Sequence, residues 1–104
     1  MKIELLYFDG CPGHQALLPR LEAMLAEQDL AADIELRRIE SIGDAVRERF
    51  LGSPTLRIDG TDVDPSAATR EDYGLKCRLY KTPQGRGTLP AGGWVGDALR
   101  RATG

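Results

Sequence analysis

Near its start the chain carries six almost continuously apolar residues, Ile3 to Phe8 (IELLYF), stopped by Gly10-Cys11-Pro12-Gly13. A run this short, rich in Tyr and Phe, favours a strand buried on both faces, the place of a central strand in a sheet. The period then changes. Leu17, Leu18, Leu21, Met24 and Leu25 recur at spacings of three and four, with Arg20, Glu22, Glu27 and Gln28 elsewhere around the turn. This predicts an amphipathic helix over about 12–28. Pro12 fits its first turn, where a missing N–H costs nothing. Pro19 falls inside the helix and is expected to kink or split it. Asp33 to Ile39 sets Ile34 and Leu36 against Glu35 and Arg37, the alternation of a strand. Strand, helix and strand in that order make a right-handed βαβ unit with parallel strands.

The rest of the chain must complete that unit. Ser41 to Phe50 predicts a short second helix, with Val46, Phe50 and Ala45 facing inward, and Gly52-Ser53-Pro54 ends it. Thr55 to Ile58 and Thr61 to Asp64 read as strands joined by Asp59-Gly60, the strongest local hairpin signal present. Residues 65–75 read as a loop, Leu75 to Lys81 as a further short strand, and Gly85 to Gly93 as an irregular connector. Trp94 to Ala102 predicts a last helix with Trp94, Val95, Ala98 and Leu99 inward. This order describes an α/β sandwich with one mixed sheet. At 104 residues it is expected to be a single domain over 1–104 with a modest core.

Charge narrows the partners. Lysine and arginine number 14 against 16 acidic residues, so no nucleic acid is expected as a partner. No apolar run approaches the roughly 20 residues of a membrane helix, so no membrane partner is expected either. The opening MKIELLYFDG lacks the apolar core and small-residue exit of a signal, which points to a cytoplasmic protein. The charge is uneven. Residues 1–75 hold 8 basic and 15 acidic side chains, and residues 76–104 hold 6 and 1. Either the basic end lies against an acidic body, or it forms a patch that attracts anions.

The chemistry concentrates at Gly10-Cys11-Pro12-Gly13-His14. Cys11 falls where a strand ends and a helix begins, facing unpaired N–H groups and the positive end of the helix dipole. A thiolate there is stabilised, and its pKa should fall below the free value of about 8.5. Pro12 fixes the backbone behind the sulfur, and Gly13 leaves that surface open to a partner. His14, three residues on, either stabilises the thiolate when protonated or relays a proton when neutral. Asp9 would oppose ionisation as a negative neighbour. The chain has two cysteines and one histidine, so any metal site draws on Cys11, His14, Cys77 and carboxylates alone.

Strand–Cys-Pro-x-x–helix at Cys11 to His14, with Ser53-Pro54-Thr55 before the hairpin, resembles the thioredoxin superfamily over about residues 2–64 and 94–102. The resemblance implies a thioredoxin-like βαβ–α–ββ–α sandwich with a four-stranded mixed sheet and an added segment carrying Cys77. It also implies a cis Pro54 packed beside Cys11, and a Ser53 that offers backbone groups to a bound thiol substrate. The chain departs from the usual pattern at His14, where the family carries its second cysteine, so a dithiol confined to the helix start is impossible. Phe8-Asp9-Gly10-Cys11-Pro12, Gly52-Ser53-Pro54-Thr55, Val63-Asp64-Pro65 and Gly74-Leu75-Lys76-Cys77-Arg78-Leu79-Tyr80 are further similar to a subgroup of small bacterial thioredoxin-like proteins. Members of that subgroup are sometimes labelled alkylmercury lyase.

If Pro54 neighbours Cys11, the first strand ends and the third begins at one edge of the sheet. The hairpin then returns the chain to that edge, and Cys77 comes within reach of Cys11. A disulfide needs the two Cα atoms within about 7 Å. Lys76, Arg78, Lys81 and Arg86 lie around Cys77, and positive neighbours lower a thiol pKa or attract an anionic thiol such as glutathione. The alternative is a Cys77 that fills space in a short strand. Leu79 and Tyr80 read as packing residues, not as substrate contacts.

Three functions are therefore expected in order. The first is a thiol–disulfide redox protein, a possible oxidoreductase. In it Cys11 is the nucleophile, His14 tunes it, Pro12, Ser53 and Pro54 position a thiol or disulfide substrate, and Cys77 or glutathione resolves the product. The second is a soft-metal protein binding Hg(II) through Cys11 and Cys77. The third is an interaction module that kept the fold without chemistry. No cofactor is expected. Gly85-Arg86-Gly87 and Gly92-Gly93 lack the lysine of a phosphate loop. Asp59, Asp62 and Asp64 lack the other ligands of a calcium loop and read as solvated carboxylates at a sheet edge.

Overall fold

A computed structural model describes residues 1–103. The strand β1 (Ile3–Tyr7) forms where expected and lies inside a four-stranded sheet. Its neighbours are β2 (Ile34–Arg38), parallel, and β3 (Thr55–Ile58), antiparallel. β4 (Thr61–Asp62) closes the order β2-β1-β3-β4 through a turn in which Asp59 and Gly60 both take positive φ. The result is a mixed sheet in an α/β protein, with three α-helices among the described residues.

Strand geometry divides β1 between two cores, because successive side chains point to opposite faces. Ile3 and Leu5 join Leu56, Ile58 and Val63 under Leu17, Leu21 and Leu25 of α1 (Gly13–Glu27) and Val95, Ala98 and Leu99 of α3 (Gly92–Thr103). Leu6 joins Ile39, Phe50 and Ala45 of α2 (Ile42–Arg47), with Phe8 against them. Glu4 shares that second face and is buried, its carboxylate bonded 2.7 Å from Arg37. Three layers thus hold the far end of β1, where Cys11 begins.

α1 runs unbroken through Pro19, with no split. The lost N–H would have bonded the Gln15 carbonyl, and both residues are exposed, so water can serve that oxygen. α2 is shorter than expected. Ser41 caps it through the Asp44 N–H at 3.0 Å, and it ends at Arg47, before Arg49 turns with positive φ. Six residues give it one inward position, Ala45. Val46 is therefore 54% exposed instead of packed, and Phe50 reaches the core from beyond the helix. Leu36 also departs from expectation and is exposed, because β2 is an edge strand with little above it.

The segment after β4 differs most. A 3-10 helix (Pro65–Thr69) occupies the expected loop. Residues 75–81 do not make one strand. Cys77 forms an isolated parallel bridge with Ser53, and β5 (Tyr80–Thr82) pairs with β6 (Gly85–Gly87) inside the supposed connector. Among the described residues no helix is long and apolar enough to cross a membrane.

Candidate functional site: the Cys11–Cys77 pair

Cys11 follows β1 through a turn in which its N–H reaches the Phe8 carbonyl at 3.4 Å, and it immediately precedes α1. Pro12 stands at the N-cap, one position earlier than expected, and is exposed. The first turn of α1 holds no acidic residue, and no side chain caps it. Its free N–H groups are thus left to whatever lies at the mouth of the helix. Asp9 pairs with Arg38 at 3.4 Å, which draws its charge outward.

Cys11 and Cys77 are joined in a disulfide, their Cα atoms 5.6 Å apart across 66 residues of sequence. Backbone bonds hold the two segments in place. The Ser53 N–H donates to the Lys76 carbonyl at 2.8 Å, and the Arg78 N–H donates to the Ser53 carbonyl at 2.9 Å. This corrects one expectation. The backbone groups of Ser53 are taken by the protein's own 76–78 segment and are not on offer to a substrate. The Ser53 hydroxyl is buried and has no hydrogen-bond partner among the described residues.

The Ser53-Pro54 peptide bond is cis, as the resemblance implied. Pro54 lies directly against Gly13, where an added Cβ would stand 2.8 Å from the proline Cδ. Gly13 therefore does not keep a surface open; it lets the proline ring close on the helix start. Gly13→Ala is expected to cost about 1–3 kcal/mol through overpacking, read from denaturant unfolding of the oxidised protein. A loss below a few tenths would show that the contact gives way freely.

No family model, curated protein or solved structure matches this chain.

Two of the basic residues near Cys77, Arg78 and Lys76, prove to be committed elsewhere. Arg78 is 2% exposed, and its guanidinium bonds Asp62 at 2.7 Å, Asp64 at 3.2 Å and the Thr55 hydroxyl at 3.1 Å. Its charge also sits 4.4 Å over the Tyr80 ring. Asp62 and Asp64 are thus the partners of a buried cation and not solvated edge carboxylates. Lys76 is paired with Asp72 at 2.9 Å, and Arg70 joins them. Those bonds hold the Asp72 carboxyl well below the usual range. For Lys76 and Arg78 the contacts match the basic end lying against the acidic body, whereas Lys81 and Arg86 are exposed and pair with no carboxylate among the described residues.

Tyr80 is buried and its hydroxyl donates to the Pro54 carbonyl, tying the Cys77 segment to the proline. Burial pushes its phenol far above the ordinary value. The unfolded chain releases this proton near pH 10 and the folded one does not. The unfolded state then binds fewer protons, so stability falls as pH rises above about 10. Tyr80→Phe should remove that part of the slope and cost about 1 kcal/mol at neutral pH, both measurable by urea titration across pH. An unchanged slope would contradict the buried phenol.

His14 is not hydrogen-bonded through Nδ1, which is buried without a partner. Its ring stacks on Tyr7, with centroids 4.0 Å apart and planes at 18°. The structure therefore brings together Cys11, Cys77, Ser53, Pro54 and Gly13, and turns the His14 ring from the first turn of α1 onto Tyr7 of β1. Sequence reasoning read Tyr80 as a packing residue, which its burial bears out, and Leu79 likewise, which is instead 52% exposed; it missed the Arg78 clamp and the Tyr80 hydrogen bond. Their signal was the alternation of Lys76, Arg78 and Tyr80 against Leu75, Cys77 and Leu79, which a strand segment would turn inward and outward. A groove of about 740 Å³ opens elsewhere, between Arg57, Asp64, Arg70 and Arg101, and neither cysteine lines it.

Proposed function

We propose that this chain is a thiol–disulfide redox protein of thioredoxin-like fold, working through Cys11 and Cys77. The observation that carries the reading is the bond itself. Two cysteines 66 residues apart meet where a strand gives way to a helix. That position suits a reversible bond, because the helix start stabilises the thiolate that opening releases. The sheet order β2-β1-β3-β4, the flanking helices and the cis proline against the helix start support the fold part. In a full cycle two external thiols become one external disulfide, while the Cys11–Cys77 bond takes up two electrons and two protons. Low-molecular-weight thiols such as glutathione and cysteine-bearing peptides are the substrate class.

His14 keeps the tuning role in this reading, since it lies in the first turn of α1. His14→Asn should shift the pH at which reduced Cys11 reacts with iodoacetamide. An unchanged pH profile would remove His14 from the mechanism.

The deciding experiment reduces the folded protein, removes the reductant and applies mild peroxide or oxidised glutathione. Peptide mass spectrometry should recover a Cys11–Cys77 crosslink that a thiol reverses while the protein stays folded. Persistent free thiols, with neither the crosslink nor a mixed disulfide, would end the redox reading. Soft-metal binding ranks second, because sulfurs joined to one another are not available as thiolate ligands. It requires reduced protein to hold Hg(II) more tightly than Cys77→Ser does.

A further inference from the structure

The two residues of the pair are not equally placed. Residue 11 is 4% exposed, whereas residue 77 is exposed. Leu75 and Leu79 are exposed on either side of it, at 36% and 52%. The intervening Arg78 points inward and is neutralised by Asp62 and Asp64, and Lys76 is neutralised by Asp72. The bridge to Ser53 uses the Lys76 carbonyl and the Arg78 N–H. Among the described residues, the N–H and carbonyl of Cys77 itself bond to nothing.

We propose that an incoming peptide thiolate attacks Sγ of Cys77, not of Cys11, with Leu75 and Leu79 receiving apolar side chains beside that thiol. This rests on the redox reading and assigns the order of events within it. The thiolate forms a new S–S bond to Cys77. The Cys11–Cys77 bond breaks, and its electron pair leaves on Cys11 Sγ, at the mouth of α1. A second thiol, deprotonated in solution, attacks the sulfur it has just delivered. That releases the external disulfide and leaves Cys77 as a thiolate, and both protein thiolates then take protons from solvent. In the oxidising direction Cys11 attacks the mixed disulfide at Cys77 and closes the bond. Two arguments set this order. Exchange is fastest at the accessible sulfur, and it is faster when the better-stabilised thiolate leaves. The free backbone groups of Cys77 lie where an extended peptide can pair. The two cations that flank Cys77 directly, Lys76 and Arg78, are matched by carboxylates, so the surface beside the thiol favours an apolar peptide over an anionic thiol.

The test uses the oxidised full chain. It is mixed briefly with an uncharged cysteine peptide flanked by leucine and valine, or with glutathione, and quenched with acid. Free thiols are then capped with N-ethylmaleimide below neutral pH, and both cysteines are mapped by mass spectrometry. The adduct should sit on Cys77 and the cap on Cys11, by about tenfold or more. At equal thiolate concentration the apolar peptide should react faster than glutathione. Leu79→Ser should lower that preference about fivefold, the effect of losing one partly buried leucine contact. An adduct on Cys11, or an even split, overturns the assignment and leaves the redox reading standing. A faster reaction with glutathione overturns the apolar partner. A folded protein that reacts with neither thiol, although its unfolded chain does, overturns both the assignment and the redox reading.

Discussion

Arg78→Met is expected to lower the unfolding free energy by about 3–5 kcal/mol, the cost of removing one partner from a buried ion pair. The guanidinium is almost wholly enclosed, and Asp64 is buried with it. Without the arginine, two carboxylates 2 residues apart face each other in a poorly solvated place. The length of methionine keeps most of the packing, so the loss reports charge and hydrogen bonds more than volume. Urea titration of the oxidised protein measures it. Adding Asp62→Asn and Asp64→Asn to Arg78→Met should recover at least half of the loss, because the unpaired charges are then gone. A single-variant loss under about 1 kcal/mol would show that water reaches the carboxylates.

The second large effect concerns the disulfide. Reducing it, or replacing Cys11 and Cys77 together with serine, is expected to cost about 4 kcal/mol, from the entropy that a loop of 66 residues removes from the unfolded chain. With a urea slope of about 2 kcal/mol per molar, the midpoint should fall by about 2 M. A change below about 1 kcal/mol would show that the reduced unfolded chain is already constrained. The two predictions are coupled. Arg78 is the residue next to Cys77, and its anchor supports the same segment, so the losses need not add.

Local sequence reasoning reached the elements that depend on short-range pattern. The double-sided burial of Ile3 to Leu6, the stripe Leu17, Leu21 and Leu25, and the Asp59-Gly60 turn all follow from periods of two and 3.6 and from turn chemistry. It failed where the outcome depends on which element lies above. Val46 and Leu36 have the right spacing for burial, but nothing covers them. At the site, the proximity of Cys11 and Cys77 was legible from the direction of successive strands. The destination of Arg78 was not. A basic residue beside a cysteine suggests thiol activation, and only the fold reveals two aspartates from β4 and the residues after it waiting for that charge. The same blindness applied to Ser53, whose backbone partner comes from a segment more than twenty residues later.

The attachments of the Cys77 segment bear on what happens once the bond is open. The Arg78 ion pairs, the hydroxyl of Tyr80 and the bridge to Ser53 do not depend on the sulfur bond, so reduction leaves the two thiols side by side. Each then meets the other at an effective concentration far above that of any free thiol. A monothiol that opens the pair is soon expelled by reclosure. In the redox reading proposed above, lasting reduction then requires a dithiol, or a large excess, and electron donors would be sorted by their valency before their shape.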